Sequence, residues 1–194
     1  TNAGFIHGFR YLIQFMFYCL LEQNHNKPFP YIILQKNSKI ITTHVIKQIN
    51  SSSGIYQMFG VLADFIVINK TQYTYYSNIP LDYGQALFIQ SDYMTVTFEY
   101  NKKFGGEMNS IHNKNNNNST YVFGTDRAST INSAQTTDHK YSIHGNFLHP
   151  IVRYYQQNKL KDTFYFIENT NIKFDHPIYH INAFEQFIKK VIQK

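Results

Sequence analysis

Tyr93-Met94-Thr95-Val96-Thr97-Phe98-Glu99-Tyr100 changes character with a period of two. In an extended chain Met94, Val96, Phe98 and Tyr100 fall on one face, and Tyr93, Thr95, Thr97 and Glu99 on the other. The pattern predicts a half-exposed β-strand. Working outward, Tyr31 to Leu34, Lys39 to Ile46, Asp64 to Asn69 and Thr163 to Glu168 are short runs rich in branched or aromatic residues, and each predicts a further strand.

The two outermost segments carry helical signals instead. In Asn182 to Gln193 the residues Phe184, Phe187, Ile188, Val191 and Ile192 form one apolar stripe. Asn182 and Glu185 have capping-box spacing, and Lys189, Lys190 and Lys194 suit the negative end of the helix. Phe5 to Leu21 is apolar around its whole circumference, which predicts a helix buried on most sides. Its length is at the lower limit for a membrane span, and His7, Arg10 and Gln14 interrupt it, so no membrane span is expected. An opening helix, a strand-rich middle and a closing amphipathic helix make the fold class α+β.

Glu22 to Pro30 contains Asn24, Asn26, Pro28 and Pro30, which stop a helix and favour turns. A boundary is expected there, with residues 1–27 ending one domain and 28–194 forming an α+β domain. Gly105 to Thr120, with its tract Asn115 to Asn118, is poor in apolar residues and predicts a surface loop at about 105–120. The chain starts at Thr1 without an initiator Met, from which a fragment or a processed product is expected.

Composition narrows the function classes. The 194 residues are 43% hydrophobic and 17% aromatic but only 15% charged, so a packed, aromatic-rich core is expected. The net charge of +6 is scattered along the chain instead of gathered in a basic block, which argues against a nucleic-acid partner. Cys19 is the only cysteine, so the chain cannot form an internal disulfide, a CxxC redox pair or a multi-cysteine zinc site. His176 and His180 are four apart, but Pro177 follows the first, and no cysteine or carboxylate cluster completes a metal set. His149 before Pro150 reads as a structural turn. A GxSxG elbow is absent, and the Ser, His and Asp residues select no triad.

Gly4-Phe5-Ile6-His7-Gly8-Phe9-Arg10-Tyr11 places two glycines at the start of the opening helix. Two readings are open: the glycines allow tight packing, or the helix start, with free amides and a positive end, receives an anion or an electron-rich carbonyl. This element resembles the GFIHGFRY segment of flavin-monooxygenase-like FAD-dependent oxidoreductases. Tyr56-Gln57-Met58-Phe59-Gly60-Val61-Leu62-Ala63-Asp64 and Asn146-Phe147-Leu148-His149-Pro150 resemble later stretches of the same family, in the same order.

The resemblance implies a carboxy-terminal portion of an enzyme that binds FAD and uses NAD(P)H, with residues 1–27 as the terminal helix of a truncated FAD-binding domain. Gly4, Phe5, Ile6 and His7 would border the flavin, and Arg10, if buried, would need an acidic partner. Because the chain contains no GxGxxG, the FAD pyrophosphate loop is expected in an amino-terminal FAD/NAD(P)-binding domain, which becomes the implied partner. The family also implies the endoplasmic reticulum lumen and quality-control proteins as partners. The sequons at Asn50, Asn69, Asn117 and Asn118 agree with a lumen, whereas Val191 to Lys194 is no KDEL-type signal. The alternative is an interaction or structural module without flavin.

Overall fold

The computed structural model describes residues 6–99, 148–167 and 173–192. A long helix α1 (Ile6–His25) leads into the edge strand β1 (Ile32–Gln35), helix α2 (Ser38–Ser51) and a single helical turn α3 (Gly54–Gln57). Strands β2 (Leu62–Ile68) and β3 (Gln72–Pro80), helix α4 (Leu81–Leu87) and strand β4 (Tyr93–Glu99) follow. Strands β5 (His149–Gln156) and β6 (Lys159–Tyr165), a π-helical turn (Pro177–Asn182) and helix α5 (Ala183–Ile192) complete the described elements. The strands form one antiparallel sheet in the order β1-β3-β2-β4-β5-β6, so the α+β class holds.

Alternation along the strands divides the apolar side chains between the two faces of the sheet. On one face Ile66, Tyr75, Met94, Val96, Val152, Tyr154 and Phe164 meet Ile41, Val45 and Ile49 of α2 and Phe184, Phe187, Ile188 and Val191 of α5. On the other, Ala63, Phe65, Val67 and Tyr93 pack with Phe29, Ile79 and Phe88 and with Phe15, Tyr18 and Cys19 of α1. Gly84 brings the backbone of α4 against the Phe65 ring, where an added Cβ would lie 2.3 Å from it. Both ends of α5 are tied down: Ser38 donates to Glu185 at 3.2 Å, and Lys190 pairs with Asp162 of β6 at 2.7 Å.

Several sequence expectations change in three dimensions. Lys39 to Ile46, expected as a strand, lies within α2. The side chain of Asn37 accepts from the amides of Lys39 (2.8 Å) and Ile40 (3.3 Å), and Ile41, Val45 and Ile49 then share one helical face. Cap and helical burial together outweigh the strand preference of the β-branched residues. Strand β4 is buried on both faces instead of half-exposed, because both faces of the sheet are covered there: Met94, Val96 and Phe98 pack in one apolar cluster and Tyr93 in the other. The strand expected over Thr163 to Glu168 begins earlier, at Lys159, as the second arm of a hairpin whose turn residues Gln157 and Asn158 adopt positive φ. His149 and Pro150 lie in β5, opposite Glu99 and Phe98, and form no turn.

At the carboxy-terminal side, Asn182 does not cap the last helix, since the chain is already helical there. His176 is the N-cap: its Nδ1 accepts from the amides of Ile178 and Tyr179, both at 3.3 Å, and Pro177 occupies the first turn, where its missing N–H is harmless. Pro177 therefore starts this helical segment instead of preventing it.

The most consequential difference concerns α1. Gly8, Tyr11, Leu12, Phe15, Tyr18 and Cys19 face the rest of the chain, but Phe9, Ile13, Met16, Phe17 and Leu20 are 42%, 60%, 56%, 54% and 47% exposed. The helix expected to be buried on most sides is covered on one. The Asn-rich segment at about 105–120 lies outside the described residues.

Candidate functional site

Of the residues that the sequence placed beside a ligand, Gly4 and Phe5 lie outside the described residues. Ile6 opens α1, and His7 is exposed on its first turn. Gly8 is buried, and a Cβ there would stand 2.1 Å from Sδ and 2.7 Å from Cγ of Met58. Met58 has no exposed surface and cannot swing aside freely, so at Gly8 tight packing is the reading that the geometry selects. One turn later the Tyr11 hydroxyl bonds the Ser53 hydroxyl. Arg10 donates to both, at 2.8 Å and 3.3 Å, and its guanidinium lies 4.8 Å from the centre of the Tyr11 ring. Arg10 is exposed with these neutral partners, so the acidic partner that a buried arginine would need is not required.

Met58 belongs to the second segment singled out in the sequence, Tyr56 to Asp64. This segment turns sharply at Gly60, where φ is 70°, and the Gly60 amide donates 3.1 Å to the carbonyl of Phe98 in β4. The Tyr56 ring meets the Phe98 ring edge-on at 5.6 Å. The third segment contributes Leu148, His149 and Pro150, the last two paired with Glu99 and Phe98, while Asn146 and Phe147 lie outside the described residues. Segments separated widely in sequence thus converge at one end of the sheet, around the last residues of β4 and the first turns of α1.

Two buried polar constellations stabilise that region. Between the pairs Ala63–Ile79 and Phe65–Tyr76, β3 has one residue more than β2, and Asn78 in this bulge takes a φ of 56°. The fully buried Asp64 braces the bulge: its Oδ1 accepts from the Asn78 amide at 2.8 Å, and its Oδ2 from the Tyr75 hydroxyl at 2.5 Å. Burial pushes the Asp64 carboxyl up to about 6, against the pull of these two donors. Tyr75 in turn receives the ring of His44 edge-on at 4.4 Å.

On β4 and β5, Arg153 binds Glu99 through both guanidinium nitrogens, at 2.5 Å and 2.8 Å, and also donates 3.1 Å to Thr97. The Thr97 hydroxyl donates 2.6 Å to the same carboxylate. Burial by itself would raise the Glu99 pKa, but the Arg153 hydrogen bonds and charge outweigh it and hold the carboxyl below its ordinary value. Neither cluster stood out in the sequence. Asp64 could have been noticed as the one charged residue in the apolar run Val61 to Ile68. The Glu99–Arg153 pair spans 54 positions, and only the sheet register brings it together.

The described residues hold no group of three or more His, Cys, Asp or Glu arranged for a metal ion. His176 and His180 are used structurally: Nδ1 of the buried His180 accepts from the His176 amide at 3.1 Å, and its Nε2 lies 3.0 Å from the Ile167 carbonyl oxygen. No helix among the described residues is long and apolar enough to cross a membrane. A shallow groove of about 580 Å³ beside α2 is lined by residues that include Leu34, Thr42, His44, Lys47, Ile181 and Glu185. The arrangement can buttress a helix start and present an apolar helix face.

The chain is similar to the protein named FAD-dependent oxidoreductase domain-containing protein 2 of Mus musculus, with 32% identity over 167 residues, 80% of this chain and 22% of the relative. It is also similar to the protein of the same name from Danio rerio, with 33% identity over 81 residues, 42% of this chain and 12% of the relative. The chain therefore spans less than a quarter of the length of either curated relative. No family model matches the chain. No solved structure matches it.

Proposed function

We propose that this chain, a relative of FAD-dependent oxidoreductase domain-containing protein 2, is the carboxy-terminal portion of an FAD-dependent oxidoreductase and performs no redox step by itself. The dinucleotide-binding loop lies in another part of the enzyme, because no GxGxxG occurs here. The chain contributes the start of α1 and an α+β body that shapes the substrate side or recruits a partner, and Gly4, Phe5, Ile6 and His7 border the flavin. The positive end of a helix favours the negative charge that a flavin gains on reduction by about 0.3–1 kcal/mol.

The observation that carries this reading is the convergence of the family-like segments. Gly8 against Met58, Tyr11 on Ser53 and Gly60 on the Phe98 carbonyl hold the start of α1 firmly on the sheet end. A helix start used for orienting a cofactor requires such a rigid mounting. The implied residence in a secretory lumen belongs to the same reading, supported by the sequons and the resemblance alone.

The visible absorption spectrum of the purified full-length protein, beside that of the 194-residue chain, tests it. A yellow full-length protein and a colourless chain are the expected pair. If both stay colourless after incubation with FAD, the oxidoreductase reading fails and an interaction module takes its place. Anaerobic addition of NADH or NADPH to the yellow protein then identifies the reductant.

A further inference from the structure

The two outer strands of the sheet differ in how their edges are guarded. Charged side chains on an edge strand discourage a further strand from pairing with it, and β6 carries Lys159, Lys161 and Asp162. Strand β1 has no charged residue among Ile32, Ile33, Leu34 and Gln35, and Ile32 and Ile33 are 45% and 54% exposed. Among the described residues β1 is paired on one side only, with β3, so its outer side offers backbone donors and acceptors.

A groove lies beside this open edge. Ile32 and Leu34 stand opposite Tyr75 and Tyr73 of β3, so they share the face of the sheet that α2 covers. On α2, Ile40, His44 and Lys47 follow one another at helical spacing and form one flank. The His44 ring meets Tyr75, the strand partner of Ile32, edge-on at 4.4 Å, which places that flank beside β1. The groove of about 580 Å³ that includes Leu34 and this flank is therefore bounded by an edge strand and a helix. Sheets accept an extended peptide as an added strand at such edges, with neighbouring pockets for its alternate side chains.

The chemistry of the groove narrows the kind of peptide. Nε2 of His44 is shielded from water and has no hydrogen-bond partner. Burial and the nearby Lys47 lower the His44 pKa, so the ring is neutral at neutral pH. A peptide bond brings both an N–H and a C=O and suits either tautomer. Between Glu22 and Asp64 the chain has Lys27, Lys36, Lys39 and Lys47 but no Asp or Glu. Lys39 and Lys47 line the groove, and Lys36 follows β1 with its ammonium on the carbonyls of Asn69 and Lys70, at 3.3 Å and 3.4 Å. Glu185, which reaches the groove from α5, is bound to Lys189 at 2.9 Å and accepts from Ser38 at 3.2 Å, so its charge is already compensated.

We propose that β1 and the flank of α2 formed by Ile40, His44 and Lys47 are a docking groove for an extended acidic peptide of another protein, which adds to β1 as a further strand. Apolar side chains at alternate positions of the peptide reach Leu34 and Ile40, and its flanking carboxylates meet Lys36, Lys39 and Lys47. A second copy of the chain fits less well, because pairing two β1 strands would bring these same lysines together. Such docking requires no flavin and stands apart from the oxidoreductase reading.

Fluorescence polarisation of the full-length protein with short labelled peptides tests the proposal. Each peptide has a centre of alternating valine and threonine, flanked by glutamates in one series and by lysines in another. The glutamate series is expected to bind about tenfold more tightly, the sum of several exposed charge pairs. Lys39→Glu with Lys47→Glu, both exposed on α2, should reverse that preference and leave the circular dichroism unchanged. N-methylation of one set of alternate amides in the glutamate peptide should abolish binding, and of the other set should leave it intact, because an added strand bonds its neighbour through every second residue. A benzophenone at the centre of the peptide should crosslink within residues 32–47.

Absence of binding in both series, an unchanged preference in the double variant, equal effects of the two methylation patterns, or crosslinks confined to other elements would overturn the proposal. Dimers of the full-length protein that the peptides do not dissociate, crosslinked through β1, would assign the edge to a second copy instead. A colourless protein that still binds the glutamate series would sink the oxidoreductase reading and leave the docking groove intact.

Discussion

Asp64 makes the stability of this domain depend on pH in an unusual direction. Its carboxyl is fully buried, braces the Asn78 bulge and is pushed from 3.8 up to about 6 by burial. Because the folded-state pKa lies above the unfolded one, the stability this group contributes is fully present below about pH 4 and is lost as the pH rises through about 6. A rise from 3.8 to about 6, at 1.36 kcal/mol per pH unit, amounts to about 3 kcal/mol. Asp64→Asn removes the ionisation while keeping an oxygen for the Asn78 amide and an amide that can donate to the Tyr75 hydroxyl. Thermal and urea unfolding of both proteins at several values between pH 4 and 7.5 measures the effect. Other carboxylates, including Glu99 with its opposite shift, cancel in the difference between wild type and variant. The variant is expected to gain about 3 kcal/mol relative to wild type across that interval, roughly 10 °C in melting temperature for a domain of this size. A flat difference curve would refute the reasoning, since it would mean that Asp64 titrates alike in the folded and unfolded chain.

Gly8→Ala is expected to cost about 1–3 kcal/mol, because the new methyl meets a fully buried Met58; in a double-mutant cycle with Met58→Ala, the double variant should lose less stability in denaturant melts than the two single losses summed. Arg153→Ala should cost about 3–5 kcal/mol at neutral pH by leaving Glu99 buried and unpaired. With Arg153 present the depressed Glu99 pKa contributes stability above the ordinary carboxylate range that is lost on acidification, so the gap between the two proteins should narrow as the pH falls below about 4. Between the two sequons among the described residues, Asn69 is expected to carry an N-glycan in a secreting eukaryotic host and Asn50 to stay bare, as read by peptide mass mapping with and without deglycosylation. The Asn50 amide donates to both Ile46 (3.0 Å) and Phe174 (3.4 Å) carbonyls and uses both its hydrogens. The Asn69 amide, exposed between β2 and β3, donates only to Thr74.

Local signals determined the class of the fold and the kinship of the chain. The strand at Tyr93 to Glu99, the stripe of the closing helix and the turn formers after Glu22 each act over a few residues, as does the identity of a short segment such as Gly4 to Tyr11. They can therefore be read without knowing what lies opposite. Lys39 to Ile46 shows where local reading fails: β-branched residues favour a strand, and only burial of Ile41 and Val45 against the sheet, with Asn37 as cap, makes the helix better. The same holds for β4, whose polar-looking face is buried because β5 places Arg153 opposite Thr95 and within reach of Glu99. Asp64 and Asn78 are 14 positions apart, and Gly8 and Met58 lie in different elements, so their pairing depends on sheet register and helix crossing. The composition of α1 made it apolar all round, but only the tertiary structure decided which side meets the sheet and which five side chains face outward. Periodicity reports how apolar a face is; what covers that face is set by contacts distant in the chain.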